Sequence, residues 1–312
     1  MKPLFPPGQI EGFLSKKHQE AIHVFSVKEG QESQAYWYHY HGKKYIIRIS
    51  PVLEGFKKDR YAFLHFSSDT VLIPRIFEIG EYGDACFYCI SAKAEGKTYQ
   101  DSSRRTVKRL LPDITRILLA ISGTGLAGTT GYGKFDSATG NAPFSSWRTY
   151  LLEILNGKKF NWSEIKKKTF INGALIDEII EEFRALVPFC PEDRKLIHGD
   201  FGSNNLLVGT APAFTGVIDW DCAAYGDFLY DVATAYFWRT WLMCMAETAA
   251  YWEKAFCCLP DYHKRIRCYA LSIGLHEIFE NAREGNAAFT VWLQDRCKAF
   301  LGESMKHPPQ HH

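Results

Sequence analysis

One stretch constrains this chain more than any other: His198-Gly199-Asp200-Phe201-Gly202-Ser203-Asn204-Asn205-Leu206-Leu207-Val208, followed by Gly216-Val217-Ile218-Asp219-Trp220. Residues 206–208 can leave as one strand and 215–218 return as another, with Gly209 and Pro212 in the loop between them. Pairing Leu206 with Ile218 and Val208 with Gly216 sets Asn205 and Asp219 side by side at the open end of this hairpin. Asp200 sits just upstream, on the loop that feeds it. The result is two oxygen-bearing side chains suited to a hard cation, with a carboxylate beside them. Phosphoryl transfer uses such a set: Mg²⁺ neutralises phosphate charge while an aspartate orients a hydroxyl and accepts its proton. Asp and Asn are also ordinary turn residues, but turn preference does not account for the ordered set in this strand-loop-strand context.

The rest of the chain must carry that hairpin. At 312 residues it is long enough for about two domains, or two lobes around one cleft. A composition of 46% hydrophobic and 15% aromatic residues supplies a sizeable core and excludes general disorder. Lys+Arg number 37 against 35 Asp+Glu, a net charge of +2, so there is no global basic field for nucleic acid or a membrane surface. The nine cysteines are scattered and odd in number, which reads as free thiols in a reducing cytoplasm. Cys86 and Cys89 form one C-x-x-C, but they lie in a predicted strand and no second pair follows at zinc-site spacing. The start lacks the apolar stretch of a signal peptide, and apolar runs such as 117–121 are too short to span a bilayer. A soluble cytoplasmic protein is expected.

Hydrophobic periodicity predicts a β-rich first ninety residues and a helical remainder. Residues 35–41 and 44–49 read as a hairpin about Gly42, 54–68 as a helix, and 75–82 and 85–91 as strands meeting across Gly83-Asp84. Val107, Leu110, Leu111, Ile114, Ile117, Leu118 and Ile121 mark one helix face, bent or broken near Pro112. Further helices are predicted near 147–156, 173–187, 227–246, 261–282 and 287–301, with a β island around 198–220. This sheet-first, helices-later order predicts an α+β fold with lobes at 1–91 and 92–312. Gly123-Thr124-Gly125-Leu126-Ala127-Gly128 spells G-x-G-x-x-G, but it follows a helix, not a strand, and reads as a loop. Gly96-Lys97-Thr98 lacks the first glycine of a phosphate-binding P-loop, and His307, His311 and His312 fall in a Pro-containing tail.

With these residues in hand the chain resembles the protein-kinase-like enzymes, and its His-Gly-Asp and Ile-Asp-Trp are the variant seen in aminoglycoside phosphotransferases. The likeness runs from about Val27 to Ala299. It includes Glu29-Gly30-Gln31-Glu32-Ser33, Lys58-Asp59-Arg60-Tyr61, Tyr88-Cys89-Ile90-Ser91, Phe237-Trp238-Arg239 and Ile273-Gly274-Leu275. The resemblance implies a two-lobed protein-kinase-like fold, a β-rich nucleotide-binding lobe ahead of a mainly helical catalytic lobe. It implies transfer of a γ-phosphoryl group from ATP or GTP, with Mg²⁺, to a hydroxyl of a cationic aminoglycoside, hygromycin B being the expected acceptor. A monomer with no nucleic-acid or membrane partner is expected.

The same resemblance implies roles. Asp200 would be the catalytic base, His198 the organiser of its loop, and Asn205 and Asp219 the metal ligands. Arg48 stands where protein kinases hold ATP phosphates with a lysine; it is a planar fork where lysine is a point charge. Asp59 would be its acidic partner. Gly30 and Ser33 would cover the phosphates, and Ser91 and Lys93 match the hinge whose backbone bonds a purine. A polycationic acceptor calls for carboxylates and aromatic faces, for which Asn204, Asp221, Trp238, Trp241, Glu277 and Glu280 are the candidates. Asp227 and Asp231 are assigned to structure. In one departure Asp221-Cys222 stands where the resembled enzyme has Ser-Glu after its Asp-Trp, moving the acid by one residue. Rival readings are a kinase of this fold acting on another antibiotic or metabolite alcohol, and a catalytically silent nucleotide-binding module.

Overall fold

A computed structural model describes residues 4–27, 34–83 and 85–301. Gly30, Ser33 and the histidines of the tail lie outside the described residues, as does Asp84. The first half of the architecture is a five-stranded antiparallel sheet of order β1-β2-β3-β5-β4. Its strands are β1 (Val24–Ser26), β2 (Gln34–Tyr40), β3 (Lys43–Ser50), β4 (Ile76–Tyr82) and β5 (Cys86–Ala92). The β2–β3 hairpin turns through His41 (φ 46) and Gly42 (φ 72), the pair of left-handed residues that a two-residue hairpin loop needs.

Alternation along these strands sorts the two faces of the sheet. Tyr36, Tyr38, Ile47, Ile49, Tyr88 and Ile90 form one face, buried against Ile10 and Leu14 of α1 (Pro7–His18). The periodicity reading missed this helix, although Pro7 at its first turn and an apolar pair at i, i+4 were available as signals. Arg48 opposes Cys89 on the other face, which α2 (Leu53–Phe66) covers.

Helices build the remainder around one continuous apolar core. After the short β6 (Lys97–Thr98), α3 (Arg104–Ser122) runs unbroken through Pro112, contrary to a break there. Seven buried apolar residues hold one face of α3 to the core, and exposed Pro112 lies off that face. Ser103 caps its first turn by accepting the Thr106 N–H at 3.2 Å. Next come β7 (Gly133–Lys134), α4 (Trp147–Leu151), α5 (Trp162–Ile165) and α6 (Gly173–Leu186). The β island holds β8 (Lys195–Ile197), β9 (Leu206–Val208), β10 (Phe214–Val217) and β11 (Ala224–Gly226), arranged in two small sheets, β10-β9-β6 and β7-β11-β8. The chain closes with α7 (Leu229–Trp238), α8 (Met243–Phe256), α9 (Tyr262–Glu284) and α10 (Ala287–Lys298).

Two local readings are corrected. The hairpin register places Leu206 opposite Val217, Leu207 opposite Gly216 and Val208 opposite Phe214, one step from the expected pairing and growing. Thr215 is the bulged residue, and its hydroxyl bonds Glu95 O across the chain. The single helix expected over 227–246 is two, because the chain leaves helical geometry at Leu242 (φ −118, ψ 121). All nine cysteines are free thiols, and the G-x-G-x-x-G segment is the loop that follows α3. No helix among the described residues is long and apolar enough to cross a membrane.

Candidate active site

The loop between β8 and β9 carries Asp200, and a buried carboxylate sets its shape. Asp231, on α7, accepts the His198 N–H on one oxygen and the Gly199 N–H on the other, each at 2.8 Å. Gly199 has φ +82, and a Cβ there would fall 2.2 Å from Cys222 O, so only glycine lets the two loops meet. His198 is fully buried; its Nε2 meets Ile218 O at 3.0 Å and its Nδ1 faces the Asp200 N–H at 3.4 Å. Those partners require a neutral ring with its proton on Nε2, and burial lowers the pKa in the same direction. His198 is thus a neutral, buried ring that ties the Asp200 loop to the Ile218 backbone.

Asn205 completes the loop. Its amide donates to Asp200 Oδ2 at 2.8 Å and to Asp200 O at 2.9 Å, which leaves its own Oδ1 as an acceptor. Despite the shifted register, the Ile218 N–H donates to Asn205 O at 2.9 Å, so the Asn205 and Asp219 backbones remain neighbours. Asp219 follows at φ 64, a left-handed turn that swings it away from the strand line. It opens to the cleft, yet the surrounding protein removes enough water to push its carboxyl up to about 7; Asp59, Asp200 and Asp221 push the same way and Arg48 opposes them. Among the described residues no group of three or more His, Cys, Asp and Glu gathers as a ready metal cage. The donor set is instead one amide oxygen and one under-neutralised carboxylate. That fits Mg²⁺, which keeps most of its positions for water and phosphate.

Helix α2 ties the sheet to this floor through two consecutive residues. Asp59 Oδ2 accepts from Arg48 Nη2, and Asp59 Oδ1 accepts the Trp220 N–H at 2.9 Å. Burial works against the Arg48 charge, but Asp59 more than restores it and raises its pKa. Lys58 turns the other way and donates to Asp221 O at 2.5 Å and Ala223 O at 2.8 Å, with its pKa pushed down to about 8 by burial and then by Lys134. The sequence marked Lys58 only as part of a motif; nothing in its spacing announces a buried ammonium.

Arg48, Asp59, Asp200 and Asp219 line a cleft of about 820 Å³, whereas Lys58, His198 and Asn205 do not. Its wall also includes Asn204, Asp221, Trp238, Trp241 and Glu277. Of all the lining residues, five are carboxylates (Asp59, Asp200, Asp219, Asp221, Glu277) and two are cations (Arg48, Lys134), a net negative wall. Burial, then Asp200, pushes Glu277 up to about 7. Trp241 is 57% exposed and Trp238 half-buried, so neither tryptophan is core. They join Phe289 and Trp292 in an aromatic group with ring centroids 4.9–6.3 Å apart, from Trp241–Trp292 to Trp238–Phe289. Phe289 and Trp292 were missed, as were Lys134, Tyr150 and His276 of the wall.

Other expected residues lie apart. Glu280 is not among the cleft lining; it pairs at 2.5 Å with Arg283 on the helix surface. Ser91 and Lys93 stand at the far end of β5, also outside the lining, and the Lys93 N–H already donates to Lys44 O at 3.2 Å. Asp227 and Asp231 are both structural, Asp227 holding Arg265 at 2.7 and 2.8 Å.

Comparison with known proteins agrees with this geometry. Residues 24–265 match the model of the phosphotransferase enzyme family. Hygromycin-B 4-O-kinase of Escherichia coli is 34% identical over 300 residues, covering 96% of this chain and 86% of that protein. Among solved structures, a thermostable mutant of aminoglycoside phosphotransferase APH(4)-Ia in ternary complex with ADP and hygromycin B superposes with a TM-score of 0.89 at 33% identity, covering 96% of this chain and 100% of that one. The GDP complex of aminoglycoside 2'-phosphotransferase-IIIa, at 16% identity and a TM-score of 0.68 over 95% of this chain and 98% of that one, shares the fold. The sheet-rich first part and the helical remainder are thus those of a kinase-like phosphotransferase, and the chain belongs to the phosphotransferase enzyme family.

Proposed function

We propose that this protein transfers the γ-phosphoryl group of ATP or GTP to a hydroxyl of an aminoglycoside, with hygromycin B as acceptor. The observation that carries the reading is the placement of Asp200 and Asp219 on one cleft, with buried Asn205 bonded to Asp200, and a remaining wall that is acidic and aromatic. The similarity to Hygromycin-B 4-O-kinase and to the nucleotide- and hygromycin-bound APH(4)-Ia structures supports the choice of substrates.

In this reading Asp200 orients the acceptor hydroxyl and accepts its proton, and the Asn205 amide keeps that carboxylate in place. Asn205 Oδ1 and Asp219 would hold Mg²⁺, which when bound supplies charge neutralisation to the phosphates. Arg48, oriented by Asp59, bonds phosphate oxygens, with Gly30 and Ser33 covering them. Ser91 and Lys93 border the purine, whose edge must use backbone other than the Lys93 N–H. Asp221 and Glu277 attract ammonium groups, while Asn204, Trp238 and Trp241 position the rings that carry them; Glu280, paired with Arg283 outside the cleft, takes no direct part. The nucleotide lobe ends near residue 91 and the catalytic and acceptor lobe begins at 92. Rate enhancement comes from positioning and charge neutralisation, without a covalent enzyme intermediate.

The test is a transfer assay with Mg·ATP and Mg·GTP over a set of aminoglycosides, read as the mass gain of one phosphoryl group. Hygromycin B should gain it, and Asp200→Asn should lower turnover by about 10²–10⁴-fold while nucleotide still binds. Absence of phosphorylation on every aminoglycoside would overturn the proposal.

A further inference from the structure

The cleft has one cation that the phosphate end does not account for. Lys134, on β7, is held by the pairing of that strand with Ala224 of β11, and its side chain reaches the cleft wall beside Cys222, with Nζ 3.5 Å from the sulfur. No carboxylate among the described residues comes within 4.0 Å of that ammonium; Asp221 attracts it only at longer range, so its charge is not spent on an internal ion pair. The same wall holds Tyr150 and His276. His276 Nδ1 meets Ser272 O at 2.9 Å, which makes the ring a neutral acceptor at Nε2, and burial keeps it neutral by lowering its pKa to about 4. Asp221 and Glu277, the chain neighbours of Cys222 and His276, are acids of the same cleft wall.

We propose that Lys134 is a specificity-determining residue that fixes the orientation of the acceptor, bonding an uncharged oxygen of the aminoglycoside and excluding ammonium groups from the Tyr150–Cys222–His276 side of the cleft. The inference rests on the aminoglycoside reading above and adds to it a division of the acceptor wall. Ammonium groups go to Asp221 and Glu277; hydroxyl or acetal oxygens go to the Lys134 side. A like charge placed against Lys134 in a partly desolvated cleft is disfavoured, which is the repulsive element that a specific site needs. An acceptor with ammonium groups on all sides would therefore be a poor substrate, whereas one with an oxygen-only edge fits.

The experiment compares kcat/KM for hygromycin B with kcat/KM for aminoglycosides of increasing ammonium count, in the parent, Lys134→Met and Lys134→Arg. The Met variant should lower the ratio of hygromycin B to ammonium-rich acceptor by about tenfold or more, ~1.4 kcal/mol, while Arg, which keeps the charge, should preserve it. ATP binding, measured separately by calorimetry, verifies that each variant is folded, and Lys134→Gln replaces Met if the latter is not. An unchanged ratio in a folded, uncharged variant overturns the role of Lys134 while leaving the enzyme reading intact. A parent chain that phosphorylates no aminoglycoside overturns the enzyme reading and this inference with it.

Discussion

The Asp59 carboxylate bonds the Trp220 backbone N–H at 2.9 Å with one oxygen and holds Arg48 with the other. One buried side chain on α2 thus fixes both Arg48 of the sheet and the residue that follows Asp219. The Asp219 end and the Arg48 end of the site are set by a single group, and they should respond together when it is changed.

Asp59→Asn keeps the shape but removes the charge that orients Arg48. Nucleotide KM should rise by about tenfold and kcat should fall with it. Because Arg48 and Asp59 act as one unit, the double variant with Arg48→Ala should cost less than the sum of the single changes, by a coupling of about 0.5–3 kcal/mol. Additive losses in steady-state kinetics would separate the two residues.

Glu277 gives a pH signature. Its carboxyl is pushed up from 4.5 to about 7 by burial and then by Asp200, so it carries its charge only above that value. A cationic acceptor should bind more tightly as pH rises from about 6 to about 8, and Glu277→Gln should flatten that rise and weaken binding at the upper end by about tenfold. Glu280→Gln should do little, since Glu280 spends its charge on Arg283 at the surface. The sign for stability is opposite: the folded state holds the proton that the unfolded chain has released, so the Glu277 contribution declines between pH 4.5 and about 7. Calorimetric titration of acceptor across this range checks the first part, and denaturant midpoints of parent and Glu277→Gln check the second.

Asp227 and Arg265 predict a change in stability with no direct part in chemistry. Asp227 is fully buried, with Arg265 at 2.7 and 2.8 Å and the Tyr269 hydroxyl at 2.6 Å. Arg265→Met strands the carboxylate and should lower unfolding free energy by about 3–5 kcal/mol. The loss should shrink at acid pH, because burial already raises the Asp227 pKa and a stranded carboxyl protonates more readily still. Asp227→Leu combined with Arg265→Met should recover most of the loss; urea unfolding at two pH values measures all three.

What the sequence determined by itself is what short stretches of chain can enforce. The His41-Gly42 turn, the apolar stripe of α3 and the Asp200–Asn205–Asp219 set are all local, and each follows from backbone geometry or from the reach of a side chain across one loop. The apolar face that carries α3 through Pro112 was legible too; that it would outweigh the proline was not. Tertiary structure alone decided where the chain bends at Leu242, which lets Trp241 reach the cleft, since Arg239-Thr240-Trp241-Leu242 contains neither glycine nor proline. It also decided that Lys58 is buried against Asp221 O, that Lys134 lines the cleft, that Glu277 lines it while Glu280 does not, and that Phe289 and Trp292 complete the aromatic group. These depend on burial and on neighbours distant in sequence, and the lost hydration that shifts Asp219 and Glu277 arises only once those neighbours have packed.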